Sequence, residues 1–302
     1  MARSFGNRRI GSLMVRLGGW LLIGGLALAG TGAASAGMGA AGERADSCAA
    51  APGCAGRPAP GHLPEFVIID TGEPDGRMAM ASRPGHDAVV EIEAADDFIV
   101  SNTVRIKHVS FIGLLSGLAT VASIQDVEVE IYRVFPLDSI NPPSGHVPTR
   151  VNSPSDVDFL ARAASANELQ FSASVLNPSF LAANSVLNGI HPKPGQTTGG
   201  DGAVPGKEVS FDMTLTDTIT LAPGHYFFIP KVQLSTGQFY WLSTAGPVQF
   251  TGDLQAWIRN ASLDPDWLRV GTDIVGGGTP PKFDASFLLT GVLLQYLPLI
   301  QR

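Results

Sequence analysis

The sequence predicts an all-β protein: an antiparallel two-sheet sandwich, jelly-roll-like, with about nine strands and a few short helical turns. Three observations predict it. Apolar residues recur with period 2 in segment after segment, the signature of strands with one buried face. Gly, Pro and Asn clusters punctuate those segments. No strand–helix–strand rhythm and no internal repeat runs through the 302 residues, which leaves antiparallel layers as the simplest way to bury the apolar faces.

Taken in order, residues 1–36 read as a signal peptide. Arg3, Arg8, Arg9 and Arg16 form a basic head, an apolar run follows, and Ala34-Ser35-Ala36 offers the small side chains a signal peptidase accepts. The run is short for a bilayer span, which takes roughly 20 residues. Its removal takes four of the 20 basic residues and none of the 27 acids, leaving 16 against 27 and a formal charge of −11. That balance argues against nucleic acid, whose affinity comes from Lys and Arg displacing counterions. Residues 37–63 are rich in Ala, Gly and Pro and read as a disordered linker. They hold both cysteines, Cys48 and Cys54, too few thiolates for a zinc shell.

Residues 64–302 are expected to form the sandwich. A short apolar run at 66–70 opens it, Gly72, Pro74 and Gly76 mark a turn, and residues 77–82 suit a short edge strand. Residues 88–100 alternate, with Val90, Ile92, Ala94 and Phe98 against Glu91, Glu93 and Asp97. Asp96 falls on the apolar side, so the strand must bulge there or bury a partnered carboxylate. In residues 103–115 the phase slips between Ile106 and Val109, which predicts a bulge near Lys107-His108. Residues 126–135 alternate cleanly, with Glu128, Glu130 and Tyr132 on the face expected to meet water.

Ser153-Pro154-Ser155-Asp156 has the chemistry of a helix start, and residues 179–188 suit a second short helix. Strands return at 169–175, 208–216, 225–235, 238–243 and 285–296, the middle pair joined by the hairpin signal Ser235-Thr236-Gly237. Residues 253–260 and 264–268 read as helical turns. The apolar end, 287–300, holds Gly291, Gln295 and Pro298 and reads as a core strand and tail, so no stable membrane span is expected in the mature chain.

Several strings carry a resemblance: Ala95-Asp96-Asp97-Phe98, Val129-Glu130-Ile131-Tyr132, Leu176-Asn177-Pro178-Ser179-Phe180 and Asp264-Pro265-Asp266-Trp267-Leu268. On these the domain resembles exported bacterial β-sandwich proteins of unassigned function. Many of those carry a C-terminal sorting tail, and this chain departs from them by having no Pro-Glu-Pro string. The resemblance implies a sandwich in a secreted, extracellular or periplasmic setting; the group has no agreed activity, so it points to no particular function.

Chemistry-bearing residues are sparse. Asp96 and Asp97 are neighbours on a strand, so they point to opposite faces and cannot flank one bond as paired glycosidase carboxylates do. Asp264, Asp266 and Asp273 lie in or beside loops and could offer oxygens to calcium, although helix capping also accounts for Asp264. No two of the six histidines sit at ligand spacing. Tyr240, Trp241, Trp257 and Trp267 are the candidate ligand-binding aromatics, since exposed rings stack on sugars and parity should turn one of Tyr240 and Trp241 outward. These features together point to a non-catalytic module for a polysaccharide or cell-surface partner. The alternatives are a structural surface or matrix protein and a hydrolase with a loop-built site.

Overall fold

The structure is a computed structural model that describes residues 64–135, 151–155, 159–190, 197–245, 255–261 and 267–294. All of them fall within one unit, Pro58–Arg302. The described residues form fifteen strands: β1 (Glu65–Asp70), β2 (Pro74–Ala81), β3 (Ile92–Val100), β4 (Val104–Ser116), β5 (Ile124–Arg133), β6 (Leu160–Ala163), β7 (Leu169–Ala182), β8 (Asn184–Val186), β9 (Val204–Leu221), β10 (Gly224–Leu234), β11 (Gln238–Thr244), β12 (Trp257–Asn260), β13 (Leu268–Arg269), β14 (Asp284–Ala285) and β15 (Phe287–Leu293). One 3₁₀ turn, Val121–Ser123, and one π turn, Val270–Val275, complete the described elements.

The expected sandwich is there, with more strands than the nine anticipated. A nine-stranded sheet follows the order β1-β15-β4-β11-β2-β8, with β9 on the other edge of β4, β7 beyond β9, and β14 on β11. A six-stranded sheet follows β13-β12-β3-β10-β5-β6. β2 and β8 run parallel; the other described pairings are antiparallel. The surplus lies in short strands, β6, β8, β12, β13 and β14, and one edge of β4 is shared. β15 pairs along Val104–Phe111, then the chain kinks at Ser286, and β11 takes Gly113–Ser116. The kink is held on three sides: Ser286 carbonyl accepts from Ile112 N–H (3.3 Å) and Trp241 Nε1–H (2.8 Å), and Ser286 N–H donates to Leu242 carbonyl (2.9 Å).

The core lies between the sheets. Phe98 and Phe228 of the smaller sheet meet Phe111, Phe287 and Trp241 of the larger, with Phe228 stacked on Phe287 at 5.2 Å and edge-on to Trp241 at 5.7 Å. Each fully buried ring of this kind contributes about 1.5–3 kcal/mol by leaving water. Gly113 permits this packing, because a Cβ there would lie 2.2 Å from the Phe239 ring. A second apolar cluster of Ala95, Tyr132, Phe227, Ile229, Trp257 and Trp267 covers the opposite face of the smaller sheet.

The expected bulge at Lys107-His108 is present: both the β4–β9 and β4–β15 registers shift there. β3 keeps an even register through Asp96 against β10, and up to Ala95 against β12, so the carboxylate is buried rather than bulged out.

Other expectations change. Helix starts at Ser153 and 179 give way to strands: Ser153 and Pro154 lie beside Val134 and Phe135, β6 follows on the edge of β5, and residues 179–186 complete β7 and form β8. The turn expected at 253–260 holds strand β12, paired with β3. Of the turn expected at 264–268, residues 264–266 lie outside the described residues and Leu268 begins β13. Ser235-Thr236-Gly237 turns the chain as foreseen, with Gly237 at φ 79°, but it makes an arch rather than a hairpin: β10 belongs to the smaller sheet and β11 to the larger. The face of β5 expected to be wet is half covered, with Glu130 and Tyr132 buried.

Candidate functional site

The four aromatics proposed from sequence as a stacking surface are all buried. Trp241, Trp257 and Trp267 are 0 % exposed and Tyr240 is 6 % exposed. Trp241 fills the inter-sheet core. Tyr240 does point the opposite way, as parity requires, into the row it forms with Leu114 and Ala81, but that row is covered too. Trp257 and Trp267 roof the outer face of the smaller sheet, where Arg259 lies over Trp267 at 4.6 Å and over Tyr132 at 5.5 Å. Arg269 lies over Trp257 at 5.9 Å, so the protein's own cations cover both buried indoles and neither offers a free face to a sugar.

The expected calcium ligands fare similarly. Both oxygens of Asp273 are taken by Arg269, which donates from its backbone N–H (2.8 Å) and from Nε (3.1 Å) to Oδ2 and from Nη2 (3.0 Å) to Oδ1. Asp264 and Asp266 lie outside the described residues. Among the described residues no three His, Cys, Asp or Glu side chains cluster closely enough to hold a metal.

Two buried polar clusters do form, both around β3 and β10. On the outer face, Lys231 is 3 % exposed and reaches Glu91 (2.9 Å), Glu128 (3.2 Å) and Glu130 (2.6 Å). Burial alone would lower the Lys231 pKa; the surrounding carboxylates outweigh it and hold the ammonium above its ordinary value. One cation cannot compensate three anions out of water. Glu130 is the most buried of the three, and burial pushes its carboxyl up to about 9 against the pull of Lys231. Beside it, Glu93 pairs with Arg259 and accepts from Tyr132 Oη (3.0 Å). Burial alone would raise Glu93, and Arg259 overcomes that to lower it.

The second cluster surrounds Asp96. Its Oδ2 accepts Ala285 N–H at 2.7 Å, joining β3 of one sheet to β14 of the other, while Oδ1 is buried without a hydrogen-bond partner. Burial first, then the charges of Asp284 and Asp97, hold Asp96 well above the ordinary Asp range. Burial and Asp97 likewise raise Asp284 to about 6. Asp97, on the opposite face, meets His225 Nε2 at 2.8 Å. Both clusters are closed structural networks rather than openings to a ligand.

The open surface is elsewhere, on the outer face of the larger sheet. The registers align three cross-strand rows there. Gln170 (β7), Thr214 (β9), His108 (β4), Thr290 (β15) and Val67 (β1) form one. Ser172, Asp212, Ser110, Leu288 and Asp70 form the next, on the same five strands. Ser174, Ser210 and Ile112 begin a third. Two hollows, of about 260 and 300 Å³, lie along these rows and share Ser110 and Leu288 in their linings, so they make one groove. The alternate residues of the same strands, Met213, Phe211, Val109, Phe111 and Leu289, are buried in the core, which fixes the polar set outward. His108 is oriented by Thr214 Oγ1 (3.2 Å) and Glu65 (3.3 Å), and Ser210 donates to Asp212 at 3.2 Å.

The sequence carries part of the signal for this face in a single strand. Residues 208–216 alternate, with Val209, Phe211, Met213 and Leu215 as the apolar set and Ser210, Asp212 and Thr214 as its outward complement. Recognising it needed the register that brings His108, Ser110, Ser172 and Ser174 alongside.

Comparison with known proteins returns no match among protein-family models, curated proteins or solved structures.

Proposed function

We propose that the protein is a non-catalytic binding module that works outside the cytoplasm and holds a glycan across the outer face of the larger sheet. The observation that carries this reading is the row of hydroxyl and carboxylate side chains, Ser172, Asp212, Ser110 and Asp70, repeated on neighbouring strands along an open groove. Strands sit about 4.8 Å apart, a spacing comparable with the repeat of a sugar chain. Hydroxyls both donate and accept, and carboxylates accept strongly from sugar hydroxyls. Leu288, Ile112 and Val67 between them suit the apolar faces of the rings. With buried aromatics, affinity must come from hydrogen bonds rather than stacking, which favours a polymer engaging several positions over a single sugar.

Calorimetry of the chain against a panel of neutral and uronic-acid polysaccharides tests this. Binding to at least one, weakened about tenfold or more by Asp212→Ala, supports it; each hydrogen bond to a charged group is worth about 1.5–3 kcal/mol. No binding across the panel, or binding indifferent to Asp212→Ala, refutes it. The extracytoplasmic half is checked separately by expression in an exporting bacterium, where the recovered chain should begin at Gly37; an unprocessed cytoplasmic chain would overturn that half alone.

A further inference from the structure

We propose that two copies of the chain associate edge to edge through β7, the two strands pairing antiparallel about a two-fold axis so that the larger sheets run on into one another.

Sheet edges attract other strands, and proteins blunt them with short strands, charges, bulges or cover. The other edges here are blunted. β13 and β14 have two residues each, β8 has three, and β6 has four with Arg162 among them. β1 carries Glu65 and Asp70 at its ends and a register break between Val67 and Ile69.

β7 is different. It is 14 residues long and, among the described residues, pairs only with β9. From Leu169 to Val175 its register is unbroken, and bulges begin only after Val175. No charged side chain occurs from Leu169 through Ile190, in a chain that is 16 % charged with a net charge of −7. Val175 and Leu176 stand 43 and 51 % exposed at the end of the regular segment.

The missing charge identifies the occupant. A second copy of an acidic chain is repelled over most surfaces, but not along a strand without charges. Self-pairing is isologous, as two-fold interfaces require, and a strand added to a free edge gains its main-chain hydrogen bonds. The axis passes through Ser172, the middle of the regular segment, which places Gln170 of one copy opposite Ser174 of the other.

Sedimentation velocity of the full chain over a wide concentration range tests this. The wild type should form a dimer. Gln170 and Ser174 are exposed, so the double variant Q170K/S174K should fold normally by circular dichroism. It places four lysines face to face and should raise the dimer dissociation constant about tenfold or more. The variant Q170K/S174E makes the same positions complementary and should keep the dimer. A wild type that stays monomeric at high concentration, or a Lys/Lys variant that dimerises as well as the wild type, overturns the proposal. A Lys/Glu variant no better than Lys/Lys overturns the antiparallel register.

Discussion

Asp96 shows what one residue against the pattern means. Alternation along β3 demands an apolar side chain there, and the carboxyl is buried, spanning the core to Ala285 N–H. Burial and the neighbouring charges of Asp284 and Asp97 hold its pKa well above the ordinary Asp range, which favours the neutral form, and Asn is its neutral isostere. Asp96→Asn should change stability by less than about 1 kcal/mol, whereas Asp96→Ala leaves a buried N–H unpaired and should cost about 1–3 kcal/mol in urea unfolding. The pH dependence has a definite sign. A carboxyl whose folded pKa is raised contributes stability that is full below its unfolded value and is lost as pH rises through the folded one. Asp284 adds a loss of the same sign centred near pH 6. The wild type should therefore lose more stability than Asp96→Asn as the pH rises above about 4; parallel curves would contradict the assignment. Sequence showed that Asp96 broke the rule. It could not show the resolution, because Ala285 lies 189 residues away.

At the scale of elements, the outer face of β3, β5 and β10 turns on Lys231. Removing the single cation from among Glu91, Glu128 and Glu130 leaves charges uncompensated, and Lys231→Met should destabilise by about 3–5 kcal/mol. Glu130→Gln should cost far less, since that carboxyl is already neutral near pH 7; thermal melts of the two variants decide the point, and a Gln variant as damaged as the Met variant would place the charge on Glu130 instead. The long alternating strands were legible because each carries its own periodicity. β6 and β12 were not. Four residues hold too little pattern to register, and the helix-start chemistry at Ser153 and the turn-like run at 253–260 say nothing of the free edges of β5 and β3 that recruit these segments. The arch at Ser235–Gly237 teaches the same lesson: turn residues announce that the chain reverses, not which sheet receives it.

For the whole molecule, the two sheets divide the labour. The smaller one is covered on its outer face by Trp257, Trp267 and the charge networks, while the larger keeps a polar groove open. That division separates the glycan reading offered here from aromatic stacking. With Trp20 replaced by Phe, the remaining tryptophans are Trp241, Trp257 and Trp267, all fully buried. Their emission should be blue-shifted and resist acrylamide until the chain unfolds. A polysaccharide bound along Ser172, Asp212 and Ser110 touches none of them, so saturating ligand should leave the spectrum in place while calorimetry reports binding. A ligand-induced shift abolished by Trp267→Phe but insensitive to Asp212→Ala would move the site to the other sheet. The burial that keeps these aromatics away from a ligand thus makes them internal reporters, silent when the groove fills and responsive only when the core opens.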